Sequence, residues 1–242
     1  MKLLIIRHGD PDYEKDSLTE KGWREAALLA ERMSRLEISE FYVSTLGRAK
    51  DTASLTLQKM GRTAVECDWL QEFPPRILRP DVAPGRKIAW DWLPEDWTAE
   101  PAYFDRDRWF STEIMQEGNV GEMYGKVVRG FDRVLADHGY TRDGAFYHTP
   151  KGNRDVIAFF CHFGVECVLL SHLMNVSPMI LWHHLCAAPT SVTTVYTEER
   201  REGRVIFRAA GFGDVSHLYA GGEEPAFAAR FCETFDSADR HD

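Results

Sequence analysis

Val156-Ile157-Ala158-Phe159-Phe160-Cys161-His162-Phe163-Gly164 is the stretch that decides the fold. Six apolar residues run without a charge, which reads as a strand buried on both faces in a parallel sheet, not as a strand with one wet face. A helical pattern follows from about Val165 to Met174. Leu3-Leu4-Ile5-Ile6 is a second such run, and it too stops abruptly at polar residues, Arg7-His8-Gly9. Between them, strand-like and helix-like segments alternate. Ser17-Leu18-Thr19-Glu20 has the form of a capping box, and Trp23, Ala26, Ala27, Ala30, Met33 and Leu36 then recur on one helical face. Phe41–Thr45 reads as a strand, Leu46–Met60 as a helix through Ala49, Ala53, Leu57 and Met60, and residues 64–67 as a third short strand. Met123, Val127, Phe131 and Val134 mark a later helix, and Ser191–Tyr196 and Arg204–Ala209 close the sheet. Strands alternating with helices predict an α/β protein, a three-layer α/β/α sandwich around a mostly parallel central sheet.

The alternation breaks at Phe73. Residues 74–118 hold six of the chain's eleven prolines together with Trp90, Trp92, Trp97 and Trp109, and Arg76, Arg79, Arg86 and Lys87 stand near the start. A stretch of this length without clear periodicity is usually a lid or an inserted subdomain. The expectation is one domain over residues 1–242 with a lid at 73–120. Its tryptophans are expected to form the lid's own core, and its cations to lie on the surface.

Composition narrows the partners. At roughly 100–200 residues per domain, 242 residues make one large domain, and 44% hydrophobic with 28% charged residues excludes a disordered chain. The 29 Lys and Arg against 38 Asp and Glu give a net charge of −9, which disfavours nucleic acid and anionic membranes as partners. A small phosphate ester remains compatible with that charge. The five cysteines (Cys67, Cys161, Cys167, Cys186 and Cys232) form no CxxC pair and read as reduced thiols. The N-terminal apolar run is shorter than a signal-peptide core, and no stretch approaches a membrane span, so a cytoplasmic location is expected.

The polar residues that end the strands point to the chemistry. In an open α/β sheet, ligands bind at the carboxyl ends of the strands. There the chain offers Arg7-His8-Gly9, Ser44-Thr45-Leu46-Gly47-Arg48 and His162-Phe163-Gly164. Two arginines with planar donor forks and two histidines suit a tetrahedral anion, and a neutral imidazole can attack phosphorus. His183-His184 lacks metal-ligand spacing and reads as structural, as do His217 and the core cysteines Cys161 and Cys167. No metal and no cofactor are expected.

At these residues the chain resembles the histidine phosphatase superfamily, in its phosphoglycerate-mutase-like branch. The resemblance rests on Arg7-His8-Gly9 after an apolar strand, Leu18-Thr19-Glu20-x-Gly22, and Ser44-Thr45-Leu46-Gly47-Arg48-Ala49-x-x-Thr52-Ala53. It continues in Trp69-Leu70-Gln71-Glu72, His162-x-Gly164 and Gly213-Asp214-Val215-Ser216-His217-Leu218. It spans roughly everything except 73–120, and implies a phosphoglycerate mutase-like fold.

The resemblance also implies roles. His8 is the nucleophile that becomes a phosphohistidine. Arg7, Arg48 and His162 surround the phosphoryl oxygens together with Gly9. Glu72 protonates the leaving oxygen, with Asp81, Asp91 and Glu95 of the lid as competing acids. Acting as an acid at neutral pH needs a raised pKa, which partial burial against Trp69 and Phe73 would supply. Two departures stand out. Many relatives carry a phosphate-holding asparagine shortly after the Arg-His-Gly, where this chain has Asp10-Pro11-Asp12-Tyr13-Glu14, so its replacement stays open. The Glu-Arg-His-Tyr-Gly segment of the mutases is absent. The missing mutase segment favours metal-independent hydrolysis of a phosphate monoester over a mutase reaction. A mutase-type phosphotransferase and a non-catalytic phosphate-binding module are the alternatives. The alcohol half of the substrate and any homo-oligomer stay open.

Overall fold

The computed structural model describes residues 1–82, 84–227 and 232–240. In chain order the first half comprises β1 (Lys2–Arg7), a small hairpin of β2 (Pro11–Asp12) and β3 (Ser17–Leu18), α1 (Glu20–Met33), β4 (Glu40–Ser44), α2 (Gly47–Met60) and β5 (Val65–Cys67). The irregular stretch contributes a second hairpin, β6 (Arg76–Ile77) with β7 (Lys87–Ile88), and the short helices α3 (Pro94–Thr98) and α4 (Glu113–Glu117). The second half comprises α5 (Val120–Asp137), β8 (Thr141–Asp143), β9 (Phe146–His148), β10 (Val156–Cys161), α6 (Phe163–Met174), α7 (Pro178–His184), β11 (Val192–Arg201), β12 (Arg204–Asp214) and α8 (Ser216–Ala220).

The eight-stranded central sheet has the order β5-β4-β10-β1-β11-β12-β9-β8. β5, β4, β10 and β1 are mutually parallel, and the strands beyond β1 alternate, so β11 and β9 alone oppose the direction of β1. Successive side chains of a strand face opposite sides, and the core divides accordingly. Leu3 and Ile5 of β1 join Ile157, Phe159 and Cys161 of β10 on the face covered by α5 and α6. Leu4 and Ile6 join Ala158 and Phe160 on the face covered by α1 and α2, against Leu29, Met33, Ala49 and Ala53. Truncating a large one of these, such as Ile5, Leu29, Phe159 or Phe160, to alanine leaves a cavity that costs about 2–5 kcal/mol.

Helix α1 starts two residues later than its capping-box signal suggests. Thr19 caps it, its Oγ1 accepting the Gly22 amide at 3.0 Å. Ser17 instead lies in β3 and donates to Asp51 on α2 at 2.5 Å. The two strands β8 and β9 and the helix α7 are not evident from periodicity, because three-residue strands and a seven-residue helix are too short to display one.

Residues 73–120 pack into the main core and do not form a separate one. Trp92, Trp97, Tyr103, Trp109 and Met115 are buried in the same cluster as Ile5 and Phe159. Its arginines mostly tie this segment together. Arg79 pairs with Asp81 at 2.6 Å, with both side chains almost fully buried, and donates to the Trp90 carbonyl at 2.8 Å. Arg86 donates to the carbonyls of Arg76 and Glu117. His183 on α7 accepts the Trp92 amide at 2.9 Å and stacks on Trp97, a structural role that also leaves it no free lone pair for a metal.

Candidate active site

The central strands converge on one hollow. β1 leads into α1 on one face of the sheet, and its neighbour β10 leads into α6 on the other, so a crevice opens between their carboxyl ends. The parallel register pairs Arg7 with Cys161. His8 and His162 therefore emerge side by side, ring centroids 5.1 Å apart.

The His8 ring is buried and held by its own turn. Nδ1 lies 2.7 Å from the Gly9 carbonyl oxygen. A carbonyl only accepts, so Nδ1 carries the proton and Nε2 presents a lone pair. Burial first, then the Arg7 and Arg48 charges, pull the His8 pKa down to about 3, so the ring is neutral across the physiological range. The Gly9 amide donates to Thr52 Oγ1 at 2.9 Å. Gly9 thus acts through its carbonyl, and its N–H is already taken. A Cβ on Gly9 would lie 2.9 Å from the Gly22 carbonyl oxygen, and one on Gly22 2.3 Å from the Asp10 carbonyl oxygen, which is why both the turn and the start of α1 need glycine.

Arg7, buried at the end of β1, donates through Nη1 to the Ala187 carbonyl. Arg48 rises from the first turn of α2, and its Nη1 donates to Asp16 Oδ1 at 2.7 Å while its buried Nε has no partner among the described residues. Asp16 Oδ2 also accepts the Gly47 amide at 2.7 Å, supplying from another loop the cap that Leu46 does not provide. Tyr13 lies with its ring 5.5 Å from the same guanidinium. Residues 10–14 are the stretch in which the replacement for the relatives' phosphate-holding asparagine stayed open. Tyr13 comes from that stretch, but the carboxylate is Asp16, while Asp10 turns away to Thr19 and Glu25.

Glu72 completes the group. It follows a single 3-10 turn after β5, and its Oε1 accepts the Gly164 amide at 2.7 Å and the Phe73 amide at 3.3 Å. Burial raises its pKa, against the opposing pull of Arg7 and Arg48. Trp90 of the irregular segment closes over Gly164 beside it, whereas Trp69 packs against Phe131 and Phe159. Of the rival acids, Asp81 is committed to Arg79 and the Leu93 amide, which with the Arg79 charge hold its pKa low against burial.

His8, Glu72 and His162 offer ligand atoms within 4.8 Å of one another, the one such trio among the described residues. Both Arg7 and Arg48 act on all three groups. Two guanidinium charges beside a neutral imidazole make a hollow that fits an anion better than a cation. His217 is one step removed, its Nε2 3.2 Å from Thr190 Oγ1, and the Thr190 amide donates to the His8 carbonyl at 3.1 Å.

Residues 3–207 match the model of the histidine phosphatase superfamily, branch 1. The chain belongs to the histidine phosphatase superfamily. Among relatives of this superfamily member, a probable phosphatase of Schizosaccharomyces pombe is 23% identical over 247 residues, covering 90% of this chain and 95% of the relative. Among solved structures, the phosphoserine phosphatase of Entamoeba histolytica in complex with phosphoserine superposes with a TM-score of 0.57 at 18% identity, over 90% of this chain and 98% of that one. A mycobacterial glucosyl-3-phosphoglycerate phosphatase superposes with a TM-score of 0.55 at 15% identity, over 88% and 98%. These likenesses establish the phosphoglycerate mutase-like α/β/α sandwich for this histidine phosphatase superfamily chain. No helix among its described residues is long and apolar enough to cross a membrane.

Proposed function

We propose that this chain hydrolyses phosphate monoesters without a metal, through a phosphohistidine on His8. The observation that carries this reading is the His8 ring, neutral, with Nδ1–H fixed on the Gly9 carbonyl and Nε2 unprotonated, under the charges of Arg7 and Arg48. In the first step the Nε2 lone pair attacks phosphorus and the bond from phosphorus to the ester oxygen breaks. The departing alkoxide takes the proton of Glu72. Arg7, Arg48 and His162 face the equatorial oxygens, where preorganised donors are each worth about 10²–10³ in rate. In the second step water attacks the phosphorus and the P–N bond breaks. Glu72, now a carboxylate, receives the water's proton, and orthophosphate leaves with His8 neutral again. The lid segment, with Trp90 beside Glu72, covers the strand ends and reads the alcohol.

The test is phosphate release from p-nitrophenyl phosphate and a panel of phosphomonoesters in EDTA, for the wild type and His8→Ala. Turnover that survives EDTA and disappears in His8→Ala is expected. A wild type that releases no phosphate from any ester would overturn the reading. Phosphoryl exchange between phosphoglycerates without release would identify a phosphotransferase instead.

A further inference from the structure

We propose that Ser44 is a positioning residue that sets the tautomer of His162, so that the His162 ring meets the phosphoryl group as a hydrogen-bond donor at Nδ1. This rests on the phosphatase reading of the site for its consequence in turnover, but the tautomer itself follows from contacts that hold without a substrate.

Ser44 is the last residue of β4 and is fully buried. β4 pairs with β10 in parallel, Val43 opposite Phe160, which brings Ser44 to the level at which β10 gives way to His162. Ser44 Oγ and His162 Nε2 lie 2.8 Å apart. That distance alone permits either direction of donation. The neighbouring contact decides it. The Leu46 amide donates to Ser44 Oγ at 3.3 Å, so an oxygen lone pair is occupied and the hydroxyl hydrogen must find an acceptor. Among the described residues, the only acceptor Ser44 Oγ reaches is His162 Nε2. A hydroxyl that donates to Nε2 requires that nitrogen to be bare, and a neutral imidazole then carries its proton on Nδ1.

Neutrality follows from the surroundings. The His162 ring is buried in a hollow shared with His8, Arg7 and Arg48, and burial followed by the two guanidinium charges favours the uncharged form. Glu72 is the one carboxylate in the trio that could favour imidazolium, and its Oε1 is engaged by the Gly164 and Phe73 amides. His162 Nδ1 is buried and has no partner among the described residues. A buried N–H left unpaired is unfavourable, and a bound phosphoryl oxygen would satisfy it. With the opposite tautomer a nitrogen lone pair would face an anionic oxygen and repel it. Ser44 therefore converts an ambivalent ring into a donor without giving it a charge, and it does so without touching the substrate.

The experiment reads the ring directly. Protein with ¹⁵N-labelled histidine is examined by long-range ¹H–¹⁵N correlation, with the His162 signals assigned from His162→Gln, before and after addition of orthophosphate. The wild type is expected to show a protonated Nδ1 and a bare Nε2 in both states. Ser44→Ala should shift both nitrogens toward a mixture of tautomers, lower kcat on p-nitrophenyl phosphate about tenfold, and change KM less. Ser44→Thr, which keeps the hydroxyl, should recover the Nδ1–H signature and most of kcat. A wild-type His162 protonated at Nε2 or at both nitrogens would overturn the proposal, and so would a folded Ser44→Ala with the wild-type pattern. The Nδ1–H pattern in a wild type that turns over no ester would support the Ser44 assignment while overturning the phosphatase reading.

Discussion

The Glu72 carboxylate and the Gly164 backbone share one space: Oε1 accepts the Gly164 amide at 2.7 Å, and a Cβ on residue 164 would lie 2.5 Å from that oxygen. Gly164 is needed here for close approach, since even alanine must displace the carboxylate or the Trp90 ring, 3.0 Å from the same point.

Gly164→Ala is accordingly expected to fold and to lose activity. General acid catalysis contributes about 10²–10⁴-fold, so a displaced Glu72 should lower kcat on an alkyl phosphate by at least tenfold, and Glu72→Gln by more. The loss should be smaller on p-nitrophenyl phosphate, whose leaving group needs little help from a proton. Equal losses on both esters would count against Glu72 as the acid.

The pH profile should carry the same signature. Glu72 must be protonated to act as an acid, and burial raises its pKa, so phosphorylation of His8 should slow as pH rises through that value. His8 is deprotonated down to about pH 3 and adds no acidic limb in the neutral range. With an alkyl phosphate, kcat/KM is expected to fall on the alkaline side, and the fall should disappear in Glu72→Gln. A limb that persists in Glu72→Gln would assign it to another group.

Asp16 joins two duties that substitutions can separate. Asp16→Asn keeps an acceptor for the Gly47 amide but removes the charge facing Arg48, whereas Asp16→Ala removes both. Both variants should raise KM for phosphomonoesters several-fold, because the Arg48 fork loses its anchor. Asp16→Ala alone should also lose stability, by about 1 kcal/mol for a missing helix cap. Chemical denaturation alongside steady-state kinetics checks the separation, and an unchanged KM in both would refute it.

Glu166, one turn into α6, is fully buried, and neither of its carboxylate oxygens makes a well-formed hydrogen bond among the described residues. Burial pushes its pKa up to about 7 from an ordinary 4.5, although the Thr193 hydroxyl and Arg7 pull the other way. Below pH 4.5 the group is protonated folded and unfolded, and costs nothing. Between 4.5 and 7 the unfolded chain releases a proton that the folded protein keeps, so stability falls as pH rises. Above 7 the whole penalty is present, on the order of 3 kcal/mol for a shift of that size. Glu166→Gln should therefore raise the thermal midpoint by several degrees at pH 8 and leave it nearly unchanged at pH 4. Glu25, also raised to about 7 but bonded to the Asp10 and Ala226 amides, titrates in the same window. The variant should therefore remove only part of the pH dependence. A destabilised Glu166→Gln at pH 8 would show that the anion is needed.

Much of the site is written locally in the chain. The runs ending at Arg7-His8-Gly9 and Cys161-His162 identify themselves as buried strands because a sheet covered on both faces admits no polar residue until its edge, and the chemistry begins where the apolar run stops. The irregular segment at 73–120 is visible for the opposite reason, a loss of periodicity. The positions of Asp16, Ser44 and Trp90 are not legible in this way. Each acts on a residue distant in sequence, Asp16 on Arg48, Ser44 on His162 and Trp90 on Gly164, and no local pattern encodes a contact that only the fold creates.

The family, the alternation of strands and helices, and the polar residues that stand at the strand ends are all legible in the chain before it folds. Hydrophobic periodicity and short motifs are properties of neighbouring residues, and they survive without coordinates. Tertiary structure alone decided the relations across the sheet: the parallel register that sets His8 beside His162, the amide of Gly164 that receives Glu72, and the merging of the tryptophan-rich segment with the main core. Those depend on which strands pair and in what register, a choice made by the packing of the whole chain, in which no single segment holds the information.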